Sequence, residues 1–287
     1  NIATIKAVIN SAYSLSKYSN NGFIPTIINS CGEWDSFNST LNEKKIIVKK
    51  FKNIFTINTD ISGYFKSRIT YIKIFLSCFF SLKNTLKKDE PEYLIAHLIT
   101  SLPIFLYLIF NFKTKLVIRI SGKVKMNILR KILWKLCEKN ISLITCPTQA
   151  TQNDIIKLNL VEKSKVIYLP DPIIEINEIF KQKNNNSTDI KIKKNFFVMI
   201  GRYTRQKNHL LAIRCFKELI KKNLDINLII IGNGELKNEY LTEINYLKLE
   251  NRIQLVDYQK NIPIYLSKSL GMISSSLWED PGFVMIE

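Results

Sequence analysis

Short runs of Val, Ile and Leu recur along the chain, separated by longer stretches whose apolar residues return every three or four positions. The runs 25–29, 94–96, 115–120, 141–146 and 165–169 form one series. The runs 195–200, 226–231, 253–256 and 270–274 form a second. They are continuous rather than alternating, as strands buried on both faces of a parallel sheet require. The intervening stretches 5–18, 124–139, 148–158, 208–222, 235–248 and 262–269 read as helices. Strand and helix in alternation predict an α/β fold with doubly wound parallel sheets. The rhythm breaks once. Residues 181–194, KQKNNNSTDIKIKK, are polar and Asn-rich, and the LPDP before them (Leu169 to Pro172) stops regular structure. The expected division is a Rossmann-like domain over 1–170, a linker over 171–194 and a second Rossmann-like domain over 195–287.

Two further apolar stretches bear on the membrane question. Residues 93–112, YLIAHLITSLPIFLYLIFNF, approach the ~20 apolar residues a span needs. They hold His97, Thr100, Ser101 and Pro103 near the middle, which are costly in lipid. The expectation is a short strand, a turn and a buried helix over 102–110. Residues 65–88, FKSRITYIKIFLSCFFSLKNTLKK, read as one helix with Lys66, Arg68, Lys73, Lys83, Lys87 and Lys88 along it. That basic face suits either the headgroups of an anionic membrane or the solvated rim of a core helix.

Composition narrows the classes. With 46% hydrophobic residues, 9 Gly and 8 Pro in 287, the chain has material for a core and is neither fibrous nor low-complexity. The net charge of +18 favours anionic partners, although an abundance of Lys, Asn and Ile is also what an AT-rich genome favours. No nucleic-acid-binding signature accompanies the charge, and a nucleic-acid partner is not expected. Five widely spaced cysteines without a CxxC pair argue against a metal site or a disulfide framework.

Three segments carry candidate chemistry, each at a strand's carboxyl end, where ligands of open α/β sheets sit. GRYTRQKN (201–208) places Arg202 and Lys207 between a strand and a helix N-terminus, a fit for a diphosphate. Solvated loop charges are the plainer reading. IIIGNGE (229–235) is either a close backbone approach to a ligand or a tight turn. SSLWEDPGFVMIE (275–287) spaces Glu279 and Glu287 eight apart, with Pro281 and Gly282 marking a helix start and free N–H groups near Gly282 and Phe283. An acidic first helical turn also suits the macrodipole alone.

In this order and spacing the three segments resemble the donor half of group 1 glycosyltransferases, a retaining, family 4-like group with the GT-B fold of two Rossmann-like domains. The resemblance implies that Arg202 and Lys207 hold a nucleotide-sugar diphosphate. Glu279 would sit by the transferred sugar, Gly282 and Phe283 would offer backbone donors, and Glu287 would bind the ribose hydroxyls. In the first half, EYLIAH (92–97) and LVIRISG (116–122) resemble the family's strands that end at the site. His97 and Arg119 are the catalytic candidates there, and Ser121 stands where many members have a His. Asp257 replaces the family's usual Gly. The cations take the role of a metal, and neither a metal nor another cofactor is expected. The expected partners are a nucleotide-diphosphate sugar and a glycan or lipid-linked acceptor of cell-surface polysaccharide or lipopolysaccharide assembly. The expected location is the cytoplasm, with peripheral contact to the inner membrane face. Family members have further segments at both ends, so the resemblance also implies a fragment that is inactive and poorly folded alone. A GT-B-shaped nucleotide-sugar 2-epimerase and a non-catalytic nucleotide-sugar-binding protein are the alternatives.

Overall fold

The structure is a computed structural model that describes the chain except residues 1, 21, 31, 52–63, 98–99, 123–125, 177–178, 181–194, 260, 280–281 and 286–287, and the side chains of 2–3 and 64–71. The chain divides into two compact units, Asn1–Ile173 and Ile174–Glu287. The expected linker runs past this boundary, and most of it (181–194) lies outside the described residues.

The first unit runs α1 (Ile2–Tyr18), β1 (Thr26–Asn29), α2 (Asn38–Glu43), β2 (Ile47–Lys50), α3 (Tyr64–Lys88), β3 (Tyr93–His97), α4 (Ser101–Ile109), β4 (Lys115–Arg119), α5 (Ile128–Leu136), β5 (Ile141–Cys146), α6 (Gln149–Lys157) and β6 (Val166–Tyr168). Strands β3-β4-β5-β6 form a parallel sheet in that order, and β1 and β2 form a separate parallel pair. The main core gathers Leu116 and Ile118 of β4, Ile141 and Ile144 of β5, and Cys78, Leu82 and Leu86 of α3. Each fully buried side chain of this kind stabilises by about 1.5–3 kcal/mol.

The 93–112 stretch folds as β3 followed by α4, with Tyr107 donating from its hydroxyl to Thr114 O at 2.9 Å. Among the described residues, no helix is long and apolar enough to cross a membrane. Helix α5 starts later than the periodicity suggests, because the Asn127 side chain caps it by accepting from Arg130 N at 2.8 Å. Thr148 does the same for α6, accepting from Thr151 N at 3.1 Å.

The second unit runs β7 (Phe196–Ile200), α7 (His209–Lys221), β8 (Asn227–Ile231), α8 (Lys237–Tyr246), β9 (Ile253–Val256), α9 (Ile262–Lys268) and β10 (Gly271–Met272), with a 3₁₀ turn at Phe283–Met285. Its parallel sheet has the order β10-β7-β8-β9. Side-chain parity builds the two layers. Phe197, Met199, Leu228 and Ile230 pack with Ile213 and Phe216 of α7 and Ile244 of α8. The alternate residues Phe196, Val198, Ile229 and Ile231 pack on the other side with Ile264 and Tyr265 of α9. Both faces are covered, so the strands read as unbroken apolar runs.

Candidate active site

The loop from Gly201 to Asn208 leaves the carboxyl end of β7 and enters α7. Asn208 takes a left-handed conformation (φ 51°) at the helix start, which Asn tolerates better than most residues. The segment after β10 is stitched to this loop. Leu277 N donates to Gln206 O at 2.8 Å, and Gln206 Nε2 donates to Trp278 O at 3.0 Å. The Ser275 hydroxyl reaches Asn208 O at 2.8 Å. This stitching brings Glu279 to Lys207, Oε1 to Nζ at 2.5 Å, with the carboxylate also accepting from Ser276 Oγ at 2.6 Å. Both partners are largely covered, at 14% and 26% exposure, so their attraction is screened less than on an open surface. Arg202 is exposed, and its side chain has no partner among the described residues.

The two glycines of GNGE serve the loop beside them. A Cβ on Gly232 would lie 1.9 Å from Gly201 O, and one on Gly234 would lie 2.5 Å from Tyr203 O. Only glycine permits this contact, which Tyr203 N to Asn233 O (2.9 Å) and Leu236 N to Tyr203 O (3.1 Å) then fasten. Of the two readings of the motif, the close approach is present, but the partner is the Gly201–Tyr203 backbone. Beneath it, the fully buried Tyr203 packs edge-on against His209 and Tyr240. Burial, then the Lys207 charge, pushes His209 down to about pKa 4 and keeps it neutral. Asp257 is held by Lys237 at 2.6 Å and by the Asn233 amide at 2.7 Å.

Gly282 is buried with φ 74°, a left-handed conformation that favours glycine, and opens the turn at Phe283–Met285. Phe283 is half-buried. Glu287, the second acid of the spaced pair, lies outside the described residues.

In the first unit, His97 ends β3 in register with Arg119 at the end of β4. Burial, then the Arg119 charge, pushes His97 down to about pKa 4, and its Nδ1 is buried without a partner among the described residues. Arg119 is 6% exposed and fully engaged. It donates from Nε to Asp171 Oδ1 at 2.8 Å, from Nη2 to the same oxygen and to Pro170 O, and from Nη1 to Thr145 Oγ1. The guanidinium thus fastens the LPDP segment to the sheet end. Ser121 is half-buried just beyond β4.

Residues 180–287 match the family described as "Glycosyl transferases group 1". They form a group 1 glycosyltransferase domain. The chain is 33% identical over 161 residues to an uncharacterized glycosyltransferase of Methanocaldococcus jannaschii, covering 54% of this chain and 39% of that protein. It is 29% identical over 172 residues to the Escherichia coli UDP-Gal:alpha-D-GlcNAc-diphosphoundecaprenol alpha-1,3-galactosyltransferase, covering 55% and 43%. The chain therefore spans less than half the length of these curated relatives. Its structure matches Anabaena HepE, solved in complex with UDP and glucose, with a TM-score of 0.63 at 14% identity, covering 98% of this chain and 73% of that one. At that identity the likeness shows the GT-B fold alone.

Within the glycosyltransferase domain, the structure joins Lys207 and Glu279 directly and sets Arg202 in the same loop as Lys207. Sequence reasoning missed Gln206, Ser275 and Ser276, which hold the two segments together. Their only signal was the serine run directly after the strand that became β10.

Proposed function

We propose that the protein is a retaining glycosyltransferase that moves a sugar from a nucleotide-diphosphate sugar to a glycan or lipid-linked acceptor of cell-surface polysaccharide or lipopolysaccharide assembly. The observation that carries this reading is the Lys207–Glu279 pair on stitched strand-end loops inside a group 1 domain. The donor and acceptor named for the Escherichia coli relative, and the UDP and glucose bound by HepE, support the substrate classes.

In this reading Arg202 and Lys207 bind the diphosphate, and Glu279 lies by the transferred sugar. The N–H groups of Gly282 and Phe283 face the same ligand, and Glu287 binds the ribose. As the bond between the sugar's anomeric carbon and the phosphate oxygen breaks, that oxygen gains charge, which fixed cations stabilise without a metal. The acceptor hydroxyl bonds to the anomeric carbon on the face the phosphate leaves, and its proton goes to the departing oxygen. The products are the glycosylated acceptor and a nucleoside diphosphate. His97 stays neutral in the first unit, while Arg119 positions that unit's strand ends through Asp171. The protein works in the cytoplasm.

The test is to incubate the full-length protein with UDP- and GDP-sugars and undecaprenyl-diphosphate-linked acceptors. Expected are a free nucleoside diphosphate and a glycosylated acceptor whose anomeric configuration matches the donor's. An epimerised nucleotide sugar, or no turnover with any pair, would refute the reading.

A further inference from the structure

Oε1 of Glu279 carries two partners at once. Lys207 Nζ lies 2.5 Å from it, and Ser276 Oγ lies 2.6 Å from it. Among the described residues, Oε2 of the same carboxylate has no partner. A carboxylate facing an ammonium group only accepts, so the Ser276 hydroxyl donates its proton to Oε1. A weak contact points the same way. Ser274 Oγ donates to Ser276 Oγ at 3.4 Å, on the side away from the carboxylate's claim on the proton. Hydrogen bonds to a charged oxygen are roughly twice as strong as neutral ones, so this hydroxyl is a firm hold.

The two holds on Oε1 differ in what else they serve. In the donor reading, the Lys207 ammonium group goes to the diphosphate. Oε1 is then left with Ser276 among the described residues. The backbone around Ser276 is fixed without its hydroxyl. Leu277 N donates to Gln206 O, Gln206 Nε2 donates to Trp278 O, and Ser275 Oγ donates to Lys207 O and Asn208 O. Gln206 and Ser275 therefore hold the segment, and the Ser276 hydroxyl is free to hold the carboxylate.

We propose that Ser276 is a positioning residue for transfer: its hydroxyl keeps Oε1 of Glu279 in place after Lys207 has turned to the diphosphate, which leaves Oε2 to meet the transferred sugar. This assignment rests on the donor-site reading given above.

The experiment compares full-length wild type, Ser276→Ala, Ser276→Thr and Ser275→Ala. Each is assayed for transfer from the nucleotide sugar that wild type uses, and titrated with the matching nucleoside diphosphate by calorimetry. Ser276→Ala should lower kcat about 10- to 100-fold while donor KM and nucleotide affinity stay within about three-fold of wild type. Its melting temperature should match wild type. Ser276→Thr keeps the hydroxyl and should restore kcat to within about three-fold. Ser275→Ala loosens the segment from the Lys207 and Asn208 backbone, so its melting temperature and nucleotide affinity should fall together. A crystal structure with the nucleoside diphosphate should show Lys207 on the phosphates and Ser276 Oγ still on Glu279. Wild-type turnover in Ser276→Ala, a loss that Ser276→Thr shares while melting like wild type, or a bound structure with Glu279 off Ser276 would each overturn the proposal and leave the donor reading standing. A wild type that neither binds nucleotide nor transfers sugar would overturn both.

Discussion

Lys207 meets Glu279 across 72 positions of sequence. Neither residue's neighbours announce the other, and only the chain order of three motifs suggested that they share a site. In the proposed reading their pairing has a consequence for binding, because an incoming diphosphate would compete with the Glu279 carboxylate for the same ammonium group. Glu279→Gln should therefore leave UDP affinity equal or a few-fold tighter while transfer falls about 10²–10³-fold, as read by calorimetry beside a turnover assay. His209 makes a separate prediction. Held down at about 4, it stays neutral in the folded protein while the unfolded chain titrates near 6.5. The stability it supports is complete above about pH 6.5, is lost as the pH falls towards 4, and amounts to about 2–3 kcal/mol. His209→Phe fills the same space between Tyr203 and Tyr240 without a titrating group. It should flatten that part of the melting temperature's pH dependence between pH 7 and 4.5. An unchanged slope would contradict the assignment.

At the scale of elements, the buried strands were legible because burial on both faces leaves continuous apolar runs. Strand β2 was not, since Ile47–Lys50 ends in two lysines and none of its residues is buried. The glycines of GNGE were visible, but their partner was not. The contact is made by another loop's backbone, which no local pattern encodes. Gly232→Ala should therefore destabilise the second unit by more than about 2 kcal/mol, since the Gly201 carbonyl stands where the methyl would go. Gly271→Ala is the control. Its methyl would meet the Phe197 ring at an ordinary 3.7 Å and should be tolerated. Similar melting temperatures for the two variants would show that the loop–loop contact is not what those glycines serve. The Arg119–Asp171 pair was equally hidden. Arg119 looked like a residue aimed at the site, and Asp171 looked like part of a segment that stops regular structure. Their pairing appears only when β4 and the segment after β6 come together.

Across the whole molecule, the second unit carries the family match and the most legible chemistry, while the first unit contributes His97 and Arg119. Both units follow the same strand–helix rhythm, which is why the fold could be read from periodicity while the roles of individual residues could not. The central claim is that Arg202 and Lys207 hold a nucleotide diphosphate beside Glu279. Its most direct test is calorimetric titration of the full-length protein with UDP and GDP, wild type against Arg202→Ala and Lys207→Ala. Each substitution removes a charge-assisted contact of about 1.5–3 kcal/mol, so the account predicts that at least one nucleotide binds and that each variant weakens it about 10- to 100-fold. Affinity unchanged in both variants, or no binding of either nucleotide by the wild type, would contradict it.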